Sequence, residues 1–461
     1  MASVPANPAG EPLHALDSVV VRAMPHYRRV AEQRIAIWPV VLVIYATLAP
    51  REVSIHLGGN FLYLDRIALV LTLPWVALHI WRGAIRFVLP DWLILFLGIW
   101  MFVAISDVEG LDRGMVSGVS LAFDAIAGYY LARISFRSLD DMRKALILCA
   151  PGFFIAALTV AIESVSHKFF VRPFFASIFG GLNYSNGTDS IDVALRPEIR
   201  HGLMRGLGPW VHPIDAGLHL ATLLGIYWMS SVRGWPLWLA LAAAMCAVFT
   251  VSSAALMVLV LIIAALVYDE LTFRVRELSW PLAVGVFVLA IAMISVVSQS
   301  GVISVLIRLA TLDPSTGYYR IAIWTYASQS VWLHPWFGIG FSAYQRPEWM
   351  ASGSVDSHWL LYAVRYGLPA ALALFVACLS AIGGLVRAEA MAGKRDARFY
   401  RGIMISLVAL VIMAFTVMLQ GGTLTWFTLL LGGCVACAQH TYVVDWAFWI
   451  RRKPRIATPI S

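Results

Sequence analysis

Twelve apolar segments follow one another along the chain, and each approaches or reaches the length that crosses a lipid bilayer. They lie near residues 35–50, 61–81, 91–106, 115–132, 145–163, 213–231, 235–250, 253–268, 280–298, 358–386, 402–419 and 424–449. A spanning α-helix needs about 20 mostly apolar residues. Only 13% of the 461 residues are charged, whereas soluble domains have about 25%. The sequence therefore predicts an all-α polytopic membrane protein with about 12 transmembrane helices.

The distribution of basic residues predicts how these helices are oriented. Lys and Arg cluster in alternate short loops, for example at Arg82 and Arg86, whereas the intervening loops 51–60 and 107–114 hold one basic residue each. Cytoplasmic loops are enriched in Lys and Arg, so we expect both ends of the chain to be cytoplasmic. The predicted parts are a cytoplasmic tail at 1–33, a transmembrane domain at 34–449 and a second cytoplasmic tail at 450–461.

Two longer connections, 164–212 and 299–357, interrupt the pattern of short loops, and both are extracytoplasmic in this orientation. They contain Trp, Tyr, His and Arg with little low complexity. Long connections in compact proteins are usually functional or disordered, and we interpret these two as functional.

Two classes of function receive no support from the composition. The basic residues are not interleaved with aromatic residues as in a surface that grips single-stranded nucleic acid. All five cysteines lie within apolar segments, including the CxxC pair Cys434 and Cys437. Buried, unpaired cysteines act as small hydrophobic residues, so we expect neither disulfides nor a metal site.

The first long loop holds three arginines, Arg196, Arg200 and Arg205, close to several histidines that include His212. Two interpretations stay open: a solvated loop that contacts lipid headgroups, or a site for an anion. Arginine suits phosphate because its guanidinium group is planar, permanently charged and bidentate. The glycines of "RGLG" at 205–208 would let the backbone approach a ligand closely.

The second long loop contains "TGYYRIAIWTYASQSVW", whose spacing predicts an amphipathic helix. Arg320, Trp324 and Val331 share one face of it. Asp313 or Ser315 can cap its start, and the "HPWFGIG" stretch at 334–340 can end it and turn the chain back. The tenth apolar segment then opens at His358, with Tyr362 and Arg365 further along the same face.

The order of these motifs resembles the O-antigen ligase and polysaccharide polymerase family. The motifs that carry the resemblance are "RGLG" at 205–208, "TGYYRIAIW" at 316–324, "HPWFGIG" at 334–340 and "SHWLLYAVRYGLP" at 357–369, within about 200–370. Two positions depart from the family pattern. Trp359 follows His358 where the family often has Asn, and Ser253 follows Ser252 where it often has Arg.

The resemblance implies a multi-span membrane glycosyltransferase that uses no metal ion or cofactor. Such enzymes take a glycan from an undecaprenyl diphosphate carrier and join it to an acceptor hydroxyl, which is carried by a second glycan or by a lipid anchor. The implied setting is exopolysaccharide or lipopolysaccharide synthesis in a bacterial inner membrane, with an extracytoplasmic active site. The partners are then the donor, the acceptor and the bilayer, without nucleic acid.

The resemblance also implies roles for particular residues. Arg205 and Arg320 would neutralise the diphosphate and His358 would deprotonate the acceptor, so we expect all three to line one cavity. Further residues expected to contact substrate are Arg200, His212, Tyr319, Trp324, His334, Tyr362 and Arg365.

A transporter or flippase of lipid-linked or anionic substrates is the alternative from another class. Charged residues inside membrane spans often line transport pathways. The residues within or beside the predicted spans are Asp65, Arg66, Asp124, Glu163, Asp215 and Arg365. We expect Asp124 to pair with a cation such as Arg66 or Arg365, because an unpaired carboxylate at that depth is costly. The concentration of cations and histidines in the two outer loops favours the enzyme.

Overall fold

The computed structural model describes residues 36–57, 60–180, 197–298, 301–311, 313–350 and 352–442. Up to residue 245 the main helices are α1 (Trp38–Thr47), α2 (Leu64–Trp81), α3 (Leu89–Glu109), α4 (Val119–Ser135), α5 (Leu139–Ser166), α6 (Val171–Phe179), α7 (Pro213–Met229) and α8 (Trp235–Met245). They are followed by α9 (Ser253–Arg274), α10 (Trp280–Val297), α11 (Gly301–Ala310), α12 (Pro314–Leu333), α13 (His358–Tyr366), α14 (Leu368–Met391), α15 (Lys394–Met413) and α16 (Gly421–Cys437).

Seven helices in the described ranges are long and apolar enough to cross a membrane. They are α2, α3, α5, α9, α10, α14 and the continuous helical stretch Leu111–Ser135 that ends in α4. Each of the twelve apolar segments overlaps one or more helices, but α1, α8, α11 and α16 belong to shorter apolar helical stretches. The prediction of a mostly helical, multi-span membrane protein is confirmed, whereas the number of twelve spans stays a prediction.

Short hairpins accompany the helices, which the all-α prediction did not include. Strands β1 (Ser54–Leu57) and β2 (Asn60–Tyr63) pair antiparallel, as do β3 (Ile199–Arg200) and β4 (Leu203–Met204). The second hairpin and α6 lie in the first long connection, and α11 and α12 lie in the second. The predicted tails at 1–33 and 450–461 and the side chain of Arg196 lie outside the described residues.

Close backbone contact holds α4 against α16. A Cβ atom at Gly432 would overlap the backbone carbonyl of Tyr129, and one at Gly128 would overlap the hydroxyl of Thr428. Small residues let helix backbones approach in a membrane, where packing replaces the hydrophobic effect as the main attraction between helices.

Buried ionic pairs fix the helices relative to one another. Asp91 at the start of α3 and Arg133 on α4 are both inaccessible to solvent. Arg133 Nε donates to Asp91 Oδ1 at 2.9 Å, and the hydroxyl of Tyr129 donates to the same oxygen at 2.6 Å. Arg133 also donates to Gln439 Oε1 and to the carbonyl of Arg86, so its buried charge is well satisfied.

Replacing Asp91 by Ala is expected to destabilise the protein by about 3–5 kcal/mol, because it leaves the Arg133 guanidinium buried without its counter-ion. The measurement is the thermal midpoint of the purified protein in detergent. The exposed Asp112→Ala is the matched control and should unfold like the wild type. The double variant Asp91→Leu/Arg133→Met should recover much of the loss, since it removes both charges. A normal melt of Asp91→Ala would contradict this account.

The expected partner of Asp124 is Arg66. Arg66 Nε donates to Asp124 Oδ1 at 2.9 Å, and a second nitrogen of the guanidinium group contacts Oδ2. This bidentate pair joins the first turn of α2 to α4, and the prediction of a cationic partner is confirmed. Arg66 and Asp124, two of the charged residues considered for a transport pathway, therefore have a structural function.

Candidate active site

A cavity of about 290 Å³ lies where the two long connections meet the ends of α7, α9 and α15. Three arginines line it: Arg200 in strand β3, Arg205 directly after strand β4, and Arg320 in the second turn of α12. The remaining lining residues are His212, Ile214, Asp215, Ser252, Ser253, Ala254, Thr316, Asp356, Val417, Met418 and Gln420. The structure thus brings together cations from both long loops.

Arg205 is held by the hairpin that precedes it. Its backbone N–H donates to the carbonyl of Glu198 at 2.9 Å, and Arg205 Nη1 donates to Glu198 Oε2 at 2.6 Å. The side chain is buried, and its Nε has no hydrogen-bond partner. Burial would raise the pKa of Glu198, but the hydrogen bond and charge of Arg205 hold it below its ordinary value, so this carboxylate is ionised at neutral pH.

The glycines of "RGLG" serve a different purpose from the one expected. A Cβ atom at Gly206 would overlap the backbone carbonyl of Val160 on α5, so the close approach is to a helix. Glu163 on the same helix accepts backbone hydrogen bonds from Leu207 and Gly208 at 3.2 and 2.8 Å. It also accepts hydrogen bonds from the backbone at the start of α6. Glu163 therefore anchors the first long loop to the bundle.

Arg320 presents two unpaired donors in the cavity. Asp313 caps α12 by accepting a hydrogen bond from the Ser315 backbone at 3.0 Å, which places Arg320 on the inner face, 6% exposed. Its Nε and Nη1 have no hydrogen-bond partner. Burial lowers the pKa of Arg320 most, Asp356 acts in the opposite direction, and the positive charges of Arg205 and Arg200 lower it further. Arginine stays protonated even so, and unpaired buried N–H groups favour an anionic ligand.

Ser252 adds a further unsatisfied group. Its hydroxyl is buried without a partner, and the residue before it, Val251, has a positive φ of 44°. A β-branched residue rarely adopts that conformation, which costs about 1–3 kcal/mol and is concentrated at functional sites. The strained turn between α8 and α9 directs Ser252 to the cavity wall.

His212 lines the cavity as the cap of α7. Its Nδ1 accepts a hydrogen bond from the backbone of Ile214 at 3.1 Å. Burial, followed by the nearby charge of Arg205, lowers the pKa of His212 to about 4, so the ring is neutral at pH 7. Because Nδ1 accepts, the single ring proton resides on Nε2. His212 can therefore donate a hydrogen bond from Nε2 and is a poor base.

Asp215 is a site residue that sequence reasoning assigned only to the border of a span. It lies in the first turn of α7, is 3% exposed, and its Oδ2 accepts a hydrogen bond from Gln420 at 3.2 Å. Its Oδ1 has no partner. The residue also borders a crevice of about 20 Å³ together with Arg51, Asp65 and Trp210. The sequence feature that could have pointed to Asp215 is "HPID" at 212–215, in which an acidic residue follows a capping histidine and a proline at the start of a helix.

His358 does not line the cavity, contrary to the expectation that it would join Arg205 and Arg320 there. Its ring is buried against Tyr362, with ring centroids 4.5 Å apart, and neither ring nitrogen has a partner. Its backbone N–H donates to the carbonyls of Ala414 and Val417. Because Val417 lines the cavity, His358 lies behind the wall. Its assignment as a base stays a prediction.

Other predicted residues position the wall instead of facing the cavity. Trp324 Nε1 donates to the carbonyl of Phe415 at 3.0 Å, in the α15–α16 turn that carries Val417 and Gln420. The hydroxyl of Tyr319 donates to the carbonyl of Ser352 at 2.9 Å, in the loop before α13. These contacts join α12 to the α15–α16 turn and to the loop before α13.

Three of the residues expected to contact substrate lie away from the cavity. His334 is exposed at the end of α12, 14 residues beyond Arg320, which is about 21 Å along a helix. Tyr362 is buried in α13 beside His358. Arg365 stacks over the ring of Phe341 at 5.2 Å. Their roles as substrate contacts stay predictions.

A comparison with known families matches part of the chain. Residues 238–375 match the model of the family described as O-antigen ligase. The resemblance to the O-antigen ligase family is therefore confirmed. No curated protein matches the chain. The matched segment runs from α8 to α14 and includes Arg320, Trp324 and His358, whereas Arg200, Arg205 and Asp215 come from the chain before it.

Proposed function

We propose that residues 34–449 form a membrane glycosyltransferase that moves a glycan from an undecaprenyl diphosphate carrier to an acceptor hydroxyl on the extracytoplasmic side. The observation that carries the proposal is the cavity lined by Arg200, Arg205 and Arg320, in which buried guanidinium N–H groups lack partners. The O-antigen ligase segment supports transfer of a lipid-linked glycan.

The size and position of the cavity suit the diphosphate alone. At about 290 Å³ it is at the lower end of ligand pockets, so the prenyl chain and most of the glycan would lie outside it. Arg320 and Arg205 would bind the phosphoryl oxygens by charge-assisted hydrogen bonds, and Ser252 Oγ and His212 Nε2 would donate to the same group.

The reaction is a substitution at the anomeric carbon. A bond forms between the acceptor oxygen and that carbon, and the bond between the carbon and the diphosphate oxygen breaks. The electron pair leaves with the carrier diphosphate, whose growing charge the fixed guanidinium groups stabilise. The acceptor proton must pass to a base within hydrogen-bond reach.

Two carboxylates line the cavity, Asp215 and Asp356, and we assign the proton to Asp215, which is the more deeply buried of the two. Its Oδ1 is unpaired, whereas the His212 ring carries its proton on the only free nitrogen and His358 lies behind Val417. The crevice beyond Asp215 exceeds the volume that one water molecule needs and has polar walls, which provides a route for the proton away from the cavity.

The transporter receives less support from the structure. Asp124 and Glu163 are engaged in structural contacts with Arg66 and with backbone N–H groups. Intramembrane charges that line a pathway need access to it. Asp215, which does border a cavity, lies beside the arginines.

The experiment that tests the proposed function begins with donor binding. The purified protein should bind undecaprenyl diphosphate about tenfold or more tightly than undecaprenyl monophosphate, because a second phosphoryl group adds charge-assisted hydrogen bonds. Carrier-linked oligosaccharide extracted from the host is then supplied with a second carrier-linked glycan or with a lipid-anchored acceptor. The acceptor that is extended distinguishes a polymerase from a ligase. Equal binding of the two carriers, with no transfer to either acceptor, would reject the function.

A further inference from the structure

A second cavity, of about 1170 Å³, lies at the other end of the helix bundle. Helix α9 connects the two: Ser253 at its start lines the first cavity, and Asp269 near its end lines the second. These residues are 16 positions apart, about 24 Å along a helix. The second cavity is therefore separate from the proposed transfer site, and the orientation predicted from the loops places it at the cytoplasmic surface.

The wall of this cavity is apolar and follows the helices inward. Leu224 on α7 and Ile263, Leu266 and Val267 on α9 contribute to it, with Met245 from α8. From Ile263 to Phe273 the lining extends over eleven residues of α9, a rise of about 15 Å, with the aliphatic residues at its inner end and Asp269 and Glu270 nearer the rim. The hydrocarbon core of a bilayer is about 30 Å thick. The lining as a whole, from its apolar inner end to its charged rim, therefore extends over a depth comparable with one leaflet.

The rim of the cavity is basic. Arg233, Lys394 and Arg398 are exposed there, and within the described ranges none of the three forms an ion pair. The acidic residues of the lining are already engaged: Asp269 pairs with Arg401, and Glu270 pairs with Arg274 at 2.9 Å. The rim therefore carries uncompensated positive charge at the level where phospholipid headgroups lie.

We propose that this cavity binds one anionic phospholipid of the inner leaflet, with its phosphate among Arg233, Lys394 and Arg398 and an acyl chain along the α9 wall. A soluble anion would use the rim but not the apolar wall, and a zwitterionic lipid would leave the charge of the rim uncompensated. The bound lipid would bridge the end of α9 to the start of α15, the two helices whose other ends carry Ser252 and the turn with Gln420.

The test uses the full-length protein, delipidated in detergent and titrated with phosphatidylglycerol or with phosphatidylcholine of the same acyl chains. Bound lipid is counted by native mass spectrometry. We expect one phosphatidylglycerol to bind in preference to phosphatidylcholine and to raise the thermal midpoint. Lys394→Ala/Arg398→Ala should weaken phosphatidylglycerol binding about 30-fold, given the contribution of each basic residue near a membrane surface. The matched control, Arg82→Ala/Arg276→Ala, removes two exposed charges elsewhere and should bind normally.

A second variant separates a lipid from a free phosphate. Val267→Trp fills the apolar wall at a half-exposed position and leaves every charge in place, so it should also prevent lipid binding. If Val267→Trp binds phosphatidylglycerol normally, the site recognises only the phosphate and the proposal is wrong. Equal binding of the two lipids by the wild type, or an equal loss in the Arg82/Arg276 control, would also overturn it. None of these results depends on glycan transfer.

Discussion

Arg320→Ala is expected to lower glycan transfer by about 10³-fold or more, the order of effect that one arginine has on a phosphoryl group in a transition state. The side chain lines the cavity, is buried, and has two unpaired nitrogens, Nε and Nη1, so its loss removes more unpaired donors than the loss of Arg205 would. Arg320→Lys should recover little, because a point charge cannot reproduce a bidentate fork on a diphosphate.

The measurement is transfer from carrier-linked oligosaccharide by purified protein, combined with polymer formation in a deletion strain. Arg308→Ala is the matched control: Arg308 lies on α11 in the same long loop, is exposed and does not line the cavity. It should behave like the wild type. Because removing a buried charge need not destabilise the fold, Arg320→Ala should accumulate and melt normally. Near-normal polymer from this variant would refute the proposed site.

Local sequence patterns predicted the parts of the site that depend on neighbouring residues. The spacing from Asp313 to Val331 predicted α12, its cap and the inward face of Arg320, since capping and helical periodicity act within a few turns. The apolar segments located the helices for the same reason. The β3–β4 hairpin was not predicted, because strands of two residues are too short to show an alternating pattern in the sequence.

The remaining features of the site depend on contacts between residues far apart in the sequence, which local patterns cannot predict. His358 opens α13 as expected, but its place behind Val417 depends on a backbone contact with the α15–α16 turn, 56 and 59 residues further along. Asp215 and Gln420 meet across 205 positions. The glycines of "RGLG" face α5 because Glu163, about 40 residues earlier, binds the same loop.

These long-range contacts place Asp215 on the cavity wall and His358 behind it, which favours Asp215 as the base. Asp215→Asn is expected to lower the turnover rate by about 10²–10⁴-fold, the usual contribution of a general base. It should leave the affinity for undecaprenyl diphosphate nearly unchanged, because Asn keeps the shape of the side chain and removes no cation. In the wild type the rate should fall as the pH falls, since a protonated carboxylate cannot accept the acceptor proton. The residual activity of Asp215→Asn should lack that decline.

His358→Gln provides the contrasting result. Its backbone N–H can still donate to Ala414 and Val417, so the wall of the cavity should persist, and the pH dependence of the rate should match the wild type. Asp112→Asn, an exposed substitution of the same kind, is the control for the loss of a carboxylate. If His358→Gln removes the acidic limb of the profile while Asp215→Asn retains it, the base is His358, and the α15–α16 turn must move during the reaction to admit it. If His358→Gln retains the limb and Asp215→Asn loses it, the proton passes to Asp215, whose unpaired oxygen on the cavity wall favours this assignment.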